Sequence, residues 1–316
     1  MGTGDIALPS FRMMVGEGDV VGLVTQPDRP VGRSSRPRPP QIKTLAEDLG
    51  IQVAQPEKVG SRDGLAEVEA LEPDLIVVMA YGQLLPRTLL ELPPLGCINV
   101  HASLLPRHRG ASCIQAAIAA GDRETGICII SMTAELDAGD IIMEEAISLE
   151  PGETGGTLHD RLARLAPAVL GRSLSCIVRG EVTRREQDER LATYAPRLQR
   201  SDGELNWTLP ASELECLIRA HDPWPGSYTL FRDLRGRVKR LKIFPGATVV
   251  KERPERAPGE IIAAGSSGIT VACGTGAIHL GEVQAEGGQR LPVVEFIKGN
   301  PLTVGDRFFS LAGPVE

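Results

Sequence analysis

The sequence predicts a doubly wound, mostly parallel α/β domain followed by a smaller C-terminal β-barrel of OB-like type. Three observations carry this reading. In the first 180 residues the apolar runs VVGLVTQ, LIVVMA, CINVHAS and GICIISM have strand length and alternate with helix-period segments. Strands covered by helices on both faces have this continuous apolar character. After about Gly180 the polar stretch TRREQDERLATYAPRLQRSDGELNW breaks the pattern and reads as a linker. From Tyr228 onward RLKIFPG, GEIIAAG, GITVACG and AIHLGEV are short strands set off by glycine-rich turns.

In chain order, helices are expected over 5–15, 41–49, 62–71, 111–120 (closed by Gly121) and 157–174, alternating with the apolar runs. One more is expected over 211–220, ahead of the β-rich part. The domain division that follows is 1–185, a linker over 186–206, and 207–316.

A chain of 316 residues, 42% of them apolar, has room for two full cores. No run approaches the ~18 apolar residues of a membrane span, and no basic segment followed by a signal-type apolar run opens the chain, so a cytoplasmic protein is expected. Cys97, Cys113, Cys128, Cys176, Cys216 and Cys273 form no C-x-x-C pair and sit mostly in apolar runs. They read as buried reduced thiols, with no metal site. The net charge of −7 excludes a uniformly basic nucleic-acid binder. Two local basic patches remain: 29–43 carries five cations and no acid, and 232–256 carries nine cations against three acids. Either could follow a phosphate backbone, and either could be a solvated face.

The opening MGTGDIALPSF fits the G-x-G-x-x-A spacing of a dinucleotide-binding turn through Gly2, Gly4 and Ala7. That turn works only when a strand leads into it, and here only Met1 does. The chemistry concentrates instead in GCINVHASLLPRHRGAS. Asn99 and His101 stand two apart on an expected strand, so both side chains leave one face. Downstream, ELDAGD places Asp137 and Asp140 on a loop, where one carboxylate could orient the histidine and raise its basicity. Spacing alone does not choose between them.

These residues resemble the 10-formyltetrahydrofolate-dependent formyltransferases: Asn99-x-His101, then Ser103-Leu104-Leu105-Pro106, then Asp137 36 residues after the histidine. Within that group the likeness is greatest, nearly end to end, to the branch whose acceptor is initiator methionyl-tRNA. VTQPDRPVGR, AYGQLLP, SLLPRHRGA, GDRETGI, TYAPRL and RAHDPWPGSY carry it. The resemblance implies formyl transfer from 10-formyltetrahydrofolate to the α-amine of the charged tRNA, without a covalent nucleophile or a metal. Asn99 and His101 would face the tetrahedral oxyanion, and Asp137 would position His101 and a relay water. Ser103, Leu104, Leu105 and Pro106 would line the folate site, with AYGQLLP nearby. Arg33, with Arg29, Arg36 and Arg38 of the same patch, would contact the tRNA acceptor end, and the β domain would hold the acceptor arm. A monomer with no membrane contact is expected.

His108 stands where the family commonly has an aromatic residue, Cys113 where it has proline, Gly4 where it has proline, and DPWP replaces NPWP. His108 and Cys113 are expected to stay clear of the catalytic trio, His108 facing solvent. The family's first strand would run into the Gly4 turn as the central strand of the sheet. Its four or five buried side chains at ~1.5–3 kcal/mol each would be worth ~10 kcal/mol. The sequence therefore reads as starting inside a longer chain, with Met1 internal. Two other functions fit parts of the pattern: a formyltransferase for a sugar amine or nucleotide precursor, and a catalytically silent tRNA-binding relative.

Overall fold

The computed structural model describes residues 1–18, 20–30, 36–251 and 255–310. The chain forms two compact units. The first comprises 1–113, 124–148 and 159–196, and the second 114–123, 149–158 and 197–316. The segment expected as a linker is thus divided, its residues 186–196 belonging to the first unit.

In the first unit the strands Ile76–Val78, Cys97–His101, Glu124–Ser131 and Ile141–Ser148 form one sheet in that order. The first pair is parallel and the next two are antiparallel. The last two strands are successive and joined by a nine-residue loop, 132–140, which is long enough for a hairpin and too short for a parallel crossover. Leu23–Val24 and Val53–Ala54 make a separate parallel pair. Met1 and Gly2 lie between these two groups: the Met1 amine donates to the Val77 carbonyl (2.6 Å), Gly2 N–H to Val24 (3.0 Å), and Met79 N–H to Met1 (3.0 Å).

The opening glycines let the chain lie against the end of the strand Ile76–Val78. Thr3 and Gly4 N–H both donate to the Ala80 carbonyl at 3.2 Å, and a Cβ on Gly4 would stand 3.1 Å from that of Ala80. The helix that follows, Leu8–Glu17, has proline in its first turn and stops at Gly18. The helices Gln41–Asp48, Arg62–Glu69 and Cys113–Ala119 fall where expected. Ser61 caps the second of these by accepting from Gly64 N–H at 3.1 Å. Gly155–Arg179 extends past the expected end because its buried stripe, Leu158, Leu162, Ala166, Val169, Leu170 and Ser173, continues to Ile177.

In the second unit, after the helix Ala211–Ala220, strands form two antiparallel four-stranded sheets. One contains Tyr228–Arg232, Val238–Ile243, Glu282–Ala285 and Leu291–Pro292, the other Thr248–Val250, Ile261–Gly265, Gly268–Ala272 and Ala277–Leu280. Among the described residues these two sheets stand where the C-terminal β domain is expected. They communicate at Gly281, where the chain passes from one sheet to the other, and at Arg307 and Phe309, which bridge to Glu260 and Leu230. The core between them includes Trp207, Leu214, Phe231, Leu241, Ile269, Ile278 and Phe308.

Ile278 is fully buried in that core. Ile278→Ala should lose about 2–5 kcal/mol through lost transfer energy and a residual cavity. Both tryptophans lie in the second unit, so urea unfolding followed by tryptophan fluorescence reads this loss directly. A loss below about 1 kcal/mol would contradict the packing described.

Candidate active site

Asn99 and His101 project from the strand Cys97–His101, and the loop 132–140 of the adjoining hairpin brings Asp137 to them. Asp137 Oδ1 accepts from Asn99 Nδ2 at 3.1 Å, and Oδ2 accepts from Gly110 N–H at 2.8 Å. The backbone at Asp137 is left-handed, φ 51°, a conformation that aspartate tolerates better than most residues. Asp140 contributes its carbonyl to Ser131 N–H. Of the two aspartates that spacing left open, Asp137 is the one that meets Asn99 and His101.

His101 is buried, with its Nε2 3.0 Å from the His108 carbonyl and its Nδ1 3.6 Å from Asp137 Oδ2. A carbonyl only accepts, so Nε2 carries a proton. A neutral ring would then aim the Nδ1 lone pair at a carboxylate, which favours the imidazolium. Burial opposes that charge. The neighbouring Cys113, the Asp137 carboxylate and the His108 carbonyl outweigh burial and push His101 up to about 9. At 3.6 Å the Nδ1–carboxylate contact is too long for a hydrogen bond, so that N–H remains available to a third group.

A family profile described as "Formyl transferase" matches residues 8–174, and one described as "Formyl transferase, C-terminal domain" matches 197–301. The chain is 51% identical to a methionyl-tRNA formyltransferase of Akkermansia muciniphila, over 95% of this chain and 96% of that one. It is 44% identical to that of Geobacter sulfurreducens, over 100% and 97%. This chain belongs to the methionyl-tRNA formyltransferase family. An N-formyltransferase of Helicobacter canadensis, solved with folinic acid and dTDP-3-aminofucose, shares the fold, with a TM-score of 0.61 and 14% identity over 88% of this chain and 97% of that one.

Two expectations about the departures from the family pattern are overturned. His108 is buried rather than facing solvent, because the loop after His101 folds back on it: φ at His108 is 60° and its carbonyl reaches His101. Cys113 is buried and is among the groups that raise the His101 pKa, instead of standing clear of the trio. Gly110, at φ 112°, supplies the N–H on Asp137, and a Cβ there would stand 2.6 Å from the Ala195 carbonyl.

The four residues expected to line a folate site follow in the same loop. Ser103 turns its hydroxyl to the Arg107 carbonyl (2.8 Å), and Leu105 is buried against Cys128, Ile130 and Ile141. Leu104 and Pro106 are half-buried, and the Leu105–Pro106 peptide is cis. The neighbouring 80–86 loop is fixed by Gln83, whose side chain accepts from Val59 N–H at 2.8 Å, and leaves Leu84 exposed.

Arg33 lies outside the described residues. Arg29 and Arg38 face each other on a short antiparallel ribbon, exposed, with Arg36 beside it. Lys43, counted in the same patch, is engaged by Asp28 at 3.0 Å. Bonds from Gln55 and Lys43 hold the Asp28 carboxyl below its usual range. Among the described residues no cluster of three or more His, Cys, Asp or Glu could hold a metal ion, and no helix is long and apolar enough to cross a membrane.

The raised His101 value has a sign that can be tested. The unfolded histidine titrates near 6.5 and the folded one near 9. The folded state therefore binds the proton more tightly, and this contribution to stability is complete below pH 6.5 and fades as pH rises through 9. NMR titration of the imidazole should give a midpoint near 9, and Asp137→Asn should lower it. A midpoint at or below 6.5 in the unaltered protein would contradict the geometry.

Proposed function

We propose that the protein transfers the formyl group of 10-formyltetrahydrofolate to the α-amine of initiator methionyl-tRNA, as a monomer in the cytoplasm. The observation that carries this is the Asn99–Asp137–His101 cluster in a chain that is 51% identical to a methionyl-tRNA formyltransferase. In this reading residues 1–185 form the catalytic domain and 207–316 hold the acceptor arm.

The groups present suit a formyl donor. Asn99 commits one amide N–H to Asp137 and keeps the other, and the His101 Nδ1–H is not consumed by the carboxylate. Both can donate to the formyl oxygen as it takes on negative charge, and as fixed dipoles they need no reorganisation at that moment. Leu104 and Pro106 offer apolar surface to the folate ring. The neutral α-amine attacks the formyl carbon, a new C–N bond forms, and the bond from that carbon to the folate nitrogen breaks. Asp137, between Asn99 and His101, holds the relay that takes the proton from the attacking amine to the departing nitrogen.

His101→Ala should lower kcat for formylation of methionyl-tRNA by at least about 10²-fold, with KM for the tRNA little changed. Asn99→Ala should lose about 10²–10³-fold through the missing oxyanion donor. Undiminished turnover in His101→Ala would overturn the mechanism.

The basic patch 29–43 makes a separate prediction. Arg33→Ala and Arg38→Ala should raise KM for tRNA while leaving kcat nearly unchanged. Each should also flatten the salt dependence of tRNA binding by roughly 0.7–0.9 in log–log slope for every phosphate the arginine would otherwise neutralise. Fluorescence titrations across a salt series give that slope, and an unchanged slope would favour a small-molecule acceptor.

A further inference from the structure

We propose that Gln187 is a positioning residue for formyl transfer, fastening the Asp137 loop to the loop that carries His108 and Gly110. The proposal rests on the catalytic reading of Asn99, His101 and Asp137 given above.

Gln187 belongs to the polar stretch whose composition suggests a linker, yet it is buried in the first unit. Its Nε2 donates to the carbonyls of Asp137 (2.8 Å) and Gly139 (2.7 Å). Its Oε1 accepts from Arg109 Nη2 (2.8 Å) and Nε (3.1 Å). The amide orientation is unique: reversed, it would set its NH₂ against a guanidinium and its oxygen against two carbonyls. One side chain thus joins two loops that otherwise meet through Gly110 N–H and the Asp137 carboxylate.

Arg109 gives this link its rigidity. Its side chain is 1% exposed and is closed on the far side by Glu189, at 2.6 and 2.9 Å. A buried guanidinium cannot leave its acceptors without stranding its charge. The same polar segment also holds the backbone of the histidine loop. Arg109 N–H donates to Thr193 O (2.8 Å), Ala195 N–H to Arg109 O (2.7 Å) and His108 N–H to Thr193 Oγ1 (2.8 Å). The segment enters this role by pairing Arg185 with Ile141 at the sheet edge. The position of the Asp137 carboxylate relative to His101 therefore depends on a residue that touches neither side chain. Misplacement by about 1 Å at such a site costs about 10²-fold in rate.

Gln187→Glu tests the link, because it keeps an acceptor for Arg109 and removes both donors to the loop carbonyls. We expect kcat to fall about 10- to 100-fold, KM for tRNA and for the formyl donor to change less than about 2-fold, and the NMR titration midpoint of His101, faced by Asp137 and Cys113, to move. Gln187→Asn, which keeps the amide but shortens its reach by one methylene, should change both readings in the same sense and serves if the first variant does not fold. Leu162→Ala, at a fully buried helix position of the first unit, is the control: it should lower Tm and leave kcat and the His101 midpoint alone. A wild-type kcat and midpoint in the Gln187 variants, or an equal kcat loss in Leu162→Ala, would overturn the proposal. Activity surviving in His101→Ala would instead defeat the underlying catalytic reading, while the His101 titration, which needs no turnover, still reports whether Gln187 positions the loops.

Discussion

The carboxylate of Asp137 is the contact on which the candidate site depends. It is held on one oxygen by the Asn99 amide and on the other by Gly110 N–H, while His101 stands 3.6 Å away. Both bonds go to the ionised acceptor, which makes them stronger than neutral pairs. They also fix the plane of the carboxylate. The imidazole then has the His108 carbonyl as acceptor at Nε2 and a carboxylate charge near Nδ1, so a buried ring that would ordinarily shed its proton keeps it. Two of the groups that favour the charged ring are oxygens, and those oxygens sit on two different loops.

Those loops act largely through their backbones. The His108 carbonyl, the Gly110 N–H, and the Asp137 and Gly139 carbonyls make the decisive contacts, and three of the residues between 108 and 137 that supply them have positive φ. A site built on backbone atoms is indifferent to some side chains and strict about others. At position 108 histidine can stand where the family commonly has a larger aromatic ring, because the carbonyl is what His101 reads. At position 110 a side chain would collide with the Ala195 carbonyl.

The sequence makes plain what local periodicity and spacing determine. Asn99 and His101, two apart on a strand, leave one face, and the helix Ala211–Ala220 falls on its expected bounds. Strand length is overestimated at VVGLVTQ, where only Leu23–Val24 pairs, because an apolar run records burial and says nothing of a partner. The choice of Asp137 over Asp140 is invisible to spacing, since both lie on one loop and only its left-handed residue turns a carboxylate inward. The polar stretch around Gln187 looks like a linker because its buried groups are polar, satisfied by carbonyls and by Arg109 instead of by apolar neighbours. Nothing in SLLPRHRGA marks Arg109 for burial, since arginine is ordinarily a surface residue and Arg107 beside it is exposed.

The charge distribution bears on how an acidic chain could hold an RNA. With a net charge of −7 the protein repels a polyanion at long range, but at physiological salt that repulsion is screened beyond about 8 Å. What matters is which cations are left uncompensated close to the surface. In the second unit Asp233 binds Arg237 and Glu260 binds Arg256, so two arginines of the basic region are neutralised in place. On the strand Val238–Ile243, Arg240 and Lys242 alternate with buried Leu241 and Ile243, and neither forms an ion pair among the described residues. Arg240 lies over the Tyr228 ring at 4.2 Å, which holds its guanidinium in a fixed position while leaving its edge donors open. A strand that anchors every second residue in the core presents its cations at a repeat of about 6.8 Å, close to the spacing of successive phosphates in a nucleic-acid backbone. The acids elsewhere set the total charge. The local field is set by those they fail to reach.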